Sequence, residues 1–255
     1  MKTYLINLDR SIDRLEAMKI RLKTIGVDFE RVSGIDGNKI SPVDYTTKSP
    51  NARYPHHLSA GEIACFLSHK KCWELLIKSN EEWALILEDN CTFSASATRY
   101  LSNTNWIPEG CNLINFCNRD GMNIFADKSI TLNDGNTLLR VKASPPIGTY
   151  AYFISRDAAR VALQMSSQIF EPVDNFLFGY FSSYASTIDH WRLRGTIVKR
   201  CNNTKTIILG RSDKNRSLYA LHPWRLFKKI LNNYNKLKLE EITHYPETTD
   251  RSFDK

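Results

Sequence analysis

No apolar run in this 255-residue sequence approaches the roughly eighteen residues of a membrane-spanning helix, so a spanning segment is not expected. Cysteine is present at 65, 72, 91, 111, 117 and 201, but no CxxC pair and no His/Cys cluster at zinc spacing occurs. The six are read as reduced, mostly buried thiols. Met1 leads straight into the strand-like Thr3-Tyr4-Leu5-Ile6-Asn7-Leu8, leaving no space for a positive n-region and an apolar h-region. A cytoplasmic protein is the expectation. Internal repeats and low-complexity blocks are absent. Basic strands interleaved with aromatics are also missing, so nucleic acid is not an expected partner.

What remains is an ordinary globular composition, 42% apolar and 24% charged, with a formal net charge of +8. A basic surface attracts phosphate-bearing partners without choosing among them. One α/β domain over residues 1–215 and a short tail over 216–255 are expected. In the tail, Trp224, Phe227, Ile230 or Leu231, Tyr234 and Leu237 recur at steps of three to four, with Arg225, Lys228, Lys229, Lys236 and Lys238 between them. That pattern predicts a basic amphipathic helix, suited to a membrane surface through 222–238 or to packing on the domain.

Tyr4 to Leu8 predicts a buried strand, Ser11 an N-cap, and Ile12, Leu15, Met18, Leu22 and Ile25 a helix that Gly26 ends. Phe29 to Ser33 predicts a second strand before the turn Gly34-Ile35-Asp36-Gly37, giving a β-α-β opening. The polar, proline-bearing stretch from Lys39 to His57 reads as a surface loop able to close over a site. Ser59-Ala60-Gly61-Glu62 matches a capping box, and Ile63, Phe66, Leu67, Trp73 and Leu76 form an apolar stripe behind it. Ala84 to Leu87 is a buried strand that carries Glu88-Asp89-Asn90 at its carboxyl end, where ligands gather in open α/β sheets. Further strands are expected at 112–116 and 150–154, a helix over 156–165, and a hairpin or mobile insertion over 120–136.

Several of these segments could carry chemistry. On an extended chain Glu88 and Asn90 point to one face and Asp89 to the other, so the first two could share a metal; an acidic strand end that merely meets solvent fits equally well. Arg10 and Arg14 flank the first helix N-terminus, where guanidinium and amide groups suit a phosphate, or simply pair with Asp9 and Asp13. Asp174 follows a proline and precedes an apolar aromatic run, a placement that suits a general base or the N-cap of the next helix. His69 sits on the polar side of an aromatic-lined helix, as a binding or a structural histidine.

The order of these blocks resembles glycosyltransferase family 25, the bacterial lipooligosaccharide galactosyltransferases related to the collagen galactosyltransferases. The resemblance runs over roughly 1–200 through Asn7-Leu8-Asp9-Arg10 with Arg14, Gly34-Ile35-Asp36-Gly37, Gly61-Glu62-Ile63-Ala64-Cys65-Phe66-Leu67-Ser68-His69, Leu87-Glu88-Asp89, the segment from Gly148 to Arg156, and Pro172-Val173-Asp174. It implies a GT-A fold, a single Rossmann-like nucleotide-sugar domain with a mixed central sheet. It further implies inverting transfer of a hexose, usually galactose from UDP-galactose, to a lipid-linked oligosaccharide. Carried over, Asn7, Leu8, Arg10, Arg14 and Asp36 lie near the uridine, with Ser68, His69 and Asp89 also in the donor site. Gly148 to Tyr150 lie beside sugar and acceptor, Glu88 and Asn90 hold Mn²⁺ or Mg²⁺, and Asp174 is the base. The basic tail fits peripheral attachment to the cytoplasmic face of the inner membrane.

One departure stands out. The family carries a third carboxylate where this chain has Asn90, and replacing it removes a negative charge from a hard-cation site. The metal is then weakly held or dispensable. The alternative is a nucleotide-sugar-binding homologue with impaired catalysis.

Overall fold

The computed structural model describes residues 1–41, 58–117, 124–143, 148–179, 182–201 and 240–242. Most of the expected closing loop (42–57) and of the basic tail lies outside the described residues. The opening β-α-β unit is as expected: β1 (Lys2–Asn7), α1 (Ile12–Thr24) and β2 (Glu30–Ser33). Gly26 ends α1 with a left-handed φ of 67°, a conformation that costs glycine nothing. Ser11 occupies the N-cap position but makes no side-chain cap; its carbonyl instead accepts from Asn7 Nδ2.

The capping box forms as read, with Ser59 Oγ accepting from Glu62 N and the Glu62 carboxylate accepting from Ser59 N, and it starts α2 (Ala60–Lys78). Next come β3 (Trp83–Glu88), β4 (Cys91–Phe93), α3 (Ala97–Leu101) and β5 (Leu113–Asn115). Of the 120–136 stretch, the described residues from 124 belong to a hairpin, β6 (Ile124–Thr131) and β7 (Thr137–Ala143), turning at Gly135 with φ 83°. Then follow β8 (Ala151–Ser155), α4 (Arg156–Met165), α5 (Val173–Phe178), α6 (Ser183–Thr187), β9 (His190–Leu193), β10 (Val198–Arg200) and β11 (Glu240–Ile242).

One mixed nine-stranded sheet runs β11-β6-β7-β9-β5-β8-β3-β1-β2, and β10 pairs with β4 in a separate ribbon. The β2-β1-β3 edge is parallel, as is β5-β9, while the other described pairings are antiparallel. This is the Rossmann-like α/β architecture with a mixed sheet that the resemblance implied. Period-2 alternation divides each central strand between two cores. Leu5, Leu85, Leu87, Ala151 and Phe153 pack with Met18 and Leu22 of α1, while Tyr4, Ala84, Ile86, Tyr152 and Ile154 pack with Phe66, Trp73 and Leu76 of α2 and with α4 and α5.

Candidate active site

The same alternation aims the acidic residues at the end of β3. Ala84 and Ile86 face α2, so Glu88 does too; Leu85 and Leu87 face α1, so the next residue, Asp89, turns that way. Side-chain contacts agree: Glu88 meets His69 of α2 and Asp89 meets Arg14 of α1.

Around Asp89 the polar groups are almost fully committed. Asn7, buried at the carboxyl end of β1, donates from Nδ2 to Asp89 Oδ2 at 2.8 Å, and Arg14 Nη1 donates to Asp89 Oδ1 at 3.2 Å. Asn7 Oδ1 accepts in turn from Arg31 Nε at 3.0 Å, and Arg31 Nη2 reaches Asp9 Oδ1 at 2.5 Å. Burial pushes the Asp89 carboxyl above its ordinary value, against the opposing pull of Asn7 and Arg14. Arg10 pairs with Asp36, which also caps the short 3-10 turn Gly37–Lys39 by accepting from Asn38 N. That turn presses against α2 so closely that a Cβ on Gly37 would stand 3.0 Å from Gly61 Cα. Ser68 fastens the segment that leads into this turn, since its Oγ accepts from Ile35 N at 2.8 Å. Ser68 is buried and acts as a positioning residue; Leu8 packs against Gly34 and accepts from Ser11 N.

Glu88 forms the second pole. Thr149 Oγ1 donates to its Oε1 at 3.1 Å, and His69 Nε2 stands 3.6 Å from the same oxygen, just beyond hydrogen-bond distance. Burial opposes ionisation of Glu88, but His69, Arg200 and Thr149 together hold its carboxyl below the ordinary range. His69 is fully buried, a correction to its expected place on the polar side of the helix. The helix is buried round more of its girth than the apolar stripe predicts, and His69 Nδ1 and Trp73 Nε1 share the Tyr152 hydroxyl, each at 3.0 Å. Burial raises the Cys65 thiol first, then the charges of Glu88 and Asp174, against the counter-pull of Arg200.

The strand alternation expected to align Asn90 with Glu88 does not reach Asn90, because β3 ends at Glu88 and the chain turns through 89–90. Its carbonyl oxygen accepts from Cys201 N at 2.7 Å; its amide oxygen, oriented toward the one available donor, accepts from Arg200 Nε at 3.1 Å and Nη2 at 3.2 Å. The Asn90 oxygen expected to share Mn²⁺ or Mg²⁺ with Glu88 thus already faces a cation. Among the described residues, the one cluster of three His, Cys, Asp or Glu groups able to ligate an ion is Cys65, His69 and Glu88, within 4.8 Å of one another. A thiol, an imidazole and one carboxylate do not make the all-oxygen set a hard cation prefers.

Asp174 sits in the first turn of α5, where the N-cap is Pro172, so the capping role weighed for it is not the one it has. Its Oδ1 accepts from Asn175 N, and its charge is felt at Cys65, on the Glu88 side of the site.

Comparison with known proteins bears on what these poles are for. The family model described as Glycosyltransferase family 25 (LPS biosynthesis protein) matches residues 1–177. The chain belongs to glycosyltransferase family 25. A Glycosyltransferase 25 family member of Anopheles gambiae is 30% identical over 206 residues, 75% of this chain and 34% of that protein. The chain therefore spans about a third of that relative. The Haemophilus influenzae lipooligosaccharide biosynthesis protein lic2B is 25% identical over 68% of this chain and 65% of its own length. Procollagen galactosyltransferase 1-B of Xenopus laevis is 33% identical over 107 residues, 39% of this chain and 18% of its own.

Within this family 25 chain, Arg31 and Arg200 escaped the sequence reading as residues of the site, while Thr149 lies inside the expected Gly148–Tyr150 stretch. Arg31 reads there only as part of the second strand, and Arg200 is not singled out. Strand pairing is the signal that finds them, since each contacts a motif residue across the sheet or ribbon rather than along the chain. Gly148, with φ 102°, occupies the left-handed region, and its carbonyl accepts from Asn115 Nδ2 at 3.5 Å. Tyr150 is buried in the α1-side core, and its carbonyl pins Glu88 N at 2.9 Å. It shapes the site from beneath.

Proposed function

We propose that this glycosyltransferase moves a hexose, galactose, from UDP-galactose to a lipooligosaccharide or lipopolysaccharide acceptor with inversion. The observation that carries the reading is the meeting of Asn7, Arg10, Arg14, Asp36 and Asp89 at the carboxyl ends of parallel β1, β2 and β3, where an open α/β sheet receives a nucleotide. Asp89 is held in place by two donors, which fixes an acceptor for ribose hydroxyls. Arg10 and Arg14 give the uridine end a cationic rim.

In the transfer, an acceptor hydroxyl oxygen attacks the anomeric carbon as the bond from that carbon to the diphosphate oxygen breaks. UDP leaves with the bonding pair, and the hydroxyl proton passes to the Asp174 carboxylate. The lipooligosaccharide relative from Haemophilus supports this acceptor class, and the procollagen relative supports galactose as the sugar. The test is a panel of UDP-hexoses offered with a truncated lipooligosaccharide. Transfer from UDP-galactose with a β-linked product is expected; neither transfer nor slow donor hydrolysis across the panel would refute the reading. A binding-only homologue is the second reading, favoured by the amide at Asn90, and it predicts UDP affinity with no turnover.

A further inference from the structure

The β4–β10 ribbon places a cation at the end of β3. Arg200 pairs with Cys91 in its antiparallel ladder, and Cys201 N donates to the Asn90 carbonyl, so the backbones of 90 and 200 are held side by side. From that fixed base the Arg200 guanidinium turns its Nε–Nη2 edge onto the Asn90 amide oxygen, at 3.1 and 3.2 Å. Asn90 is buried, whereas Arg200 is exposed and its Nη1 is not one of the two atoms that meet Asn90.

The chemistry of the partner matters as much as the geometry. A carboxylate at position 90 would cancel the guanidinium charge by forming an ion pair. A neutral amide orients the fork and leaves its positive charge whole. Among the described residues no carboxylate comes within 4.0 Å of Arg200, although Glu88 and Cys65 feel its charge. A guanidinium held by a neutral amide, with no carboxylate in ion-pair contact among the described residues, matches a phosphate in shape and sign. Directly beneath it lies the strand end where the proposed donor's diphosphate would arrive.

We infer that Asn90 and Arg200 together form a metal-independent binding element for the diphosphate of a nucleoside-diphosphate sugar, the guanidinium supplying the positive charge that hard-cation ligands would otherwise recruit. This rests on the proposed nucleotide-sugar reading. Under it the loss of a carboxylate at 90 and the presence of Arg200 are one adaptation. When the anomeric bond breaks, the added negative charge on the departing diphosphate oxygen falls on the Arg200 Nη1 edge.

The experiment measures UDP and uridine affinity by calorimetry on tag-free full-length protein, in excess EDTA and again with Mn²⁺ or Zn²⁺ added. UDP is expected to bind in EDTA with the affinity unchanged by either metal. Arg200→Gln is expected to weaken UDP roughly ten- to hundredfold while leaving uridine unchanged. Asn90→Asp is expected to weaken UDP in EDTA and to make its binding Mn²⁺-dependent. Arg160→Gln, an exposed arginine on α4, is the control and should bind as wild type. UDP binding that appears only with metal, or an Arg200→Gln affinity equal to wild type, overturns the inference while leaving the nucleotide-sugar reading intact. No binding of UDP or uridine under any condition overturns both.

Discussion

Glu88 and Asp89 are neighbours in sequence with opposite electrostatic fates. Asp89 is pushed up by burial, while Glu88 is held down because His69, Arg200 and Thr149 outweigh burial. A carboxyl held below its ordinary value of 4.5 stabilises the fold above that value and loses this contribution as pH falls through the lower folded value. Glu88→Gln should therefore be less stable than wild type near neutrality, with the gap closing in acid. Denaturation midpoints in EDTA at about pH 7 and about pH 3 would check this; a gap of constant size would refute it. Asp174 carries a different expectation. Asp174→Asn should lower turnover by at least about a hundredfold with UDP affinity near wild type, the signature of a lost general base. Retained turnover would move the role to another acid, Glu171 first. The faces of Glu88 and Asp89 were legible from period-2 alternation alone. The aim of Asn90 was not, because the strand stops one residue after Leu87 has set the pattern, and a turn obeys no such period.

At the scale of elements, sequence pattern served where the partner is local. Gly26 at the end of α1, the Ser59–Glu62 capping box and the span of α4 follow from residues a few positions apart. The burial of His69 depends instead on Tyr152, 83 residues away, and no helical period reports that. Contact between the 3-10 turn and α2 is equally non-local and has a consequence for the site. A methyl group on Gly37 would meet backbone atoms of Gly61 and Ala60 at 3.0 and 3.1 Å, and backbone cannot yield as a flexible side chain does. Gly37→Ala should force the turn away from α2, costing about 1–3 kcal/mol as overpacking does. Because Asp36 caps that turn and pairs with Arg10, UDP affinity should fall along with the thermal midpoint. A variant that loses stability but keeps wild-type UDP affinity would uncouple the turn from the donor site.

Across the whole molecule, a net charge of +8 is unevenly spread, with Arg225, Lys228, Lys229, Lys236 and Lys238 close together in the tail. We propose that this segment holds the enzyme on the anionic cytoplasmic face of the inner membrane, where its acceptor lipid would lie. Each basic residue near such a surface is worth about 1 kcal/mol, so five together make a strong and salt-sensitive attachment. Truncation at 222 is a poor test, because it also removes β11, which pairs with β6 at the edge of the sheet. An unpaired β6 edge would invite aggregation and mimic vesicle binding in a sedimentation assay. Replacing the five basic residues by Gln leaves β11 in place and changes only charge. The variant should lose most of its binding to anionic vesicles at low ionic strength, and wild type should lose the same binding as salt is added. Transfer to a soluble, lipid-free acceptor should stay at the wild-type rate, since the donor poles at Asp89 and Glu88 are built from residues 7 to 200. Vesicle binding unchanged by the five substitutions would mean that the tail serves the fold rather than the membrane.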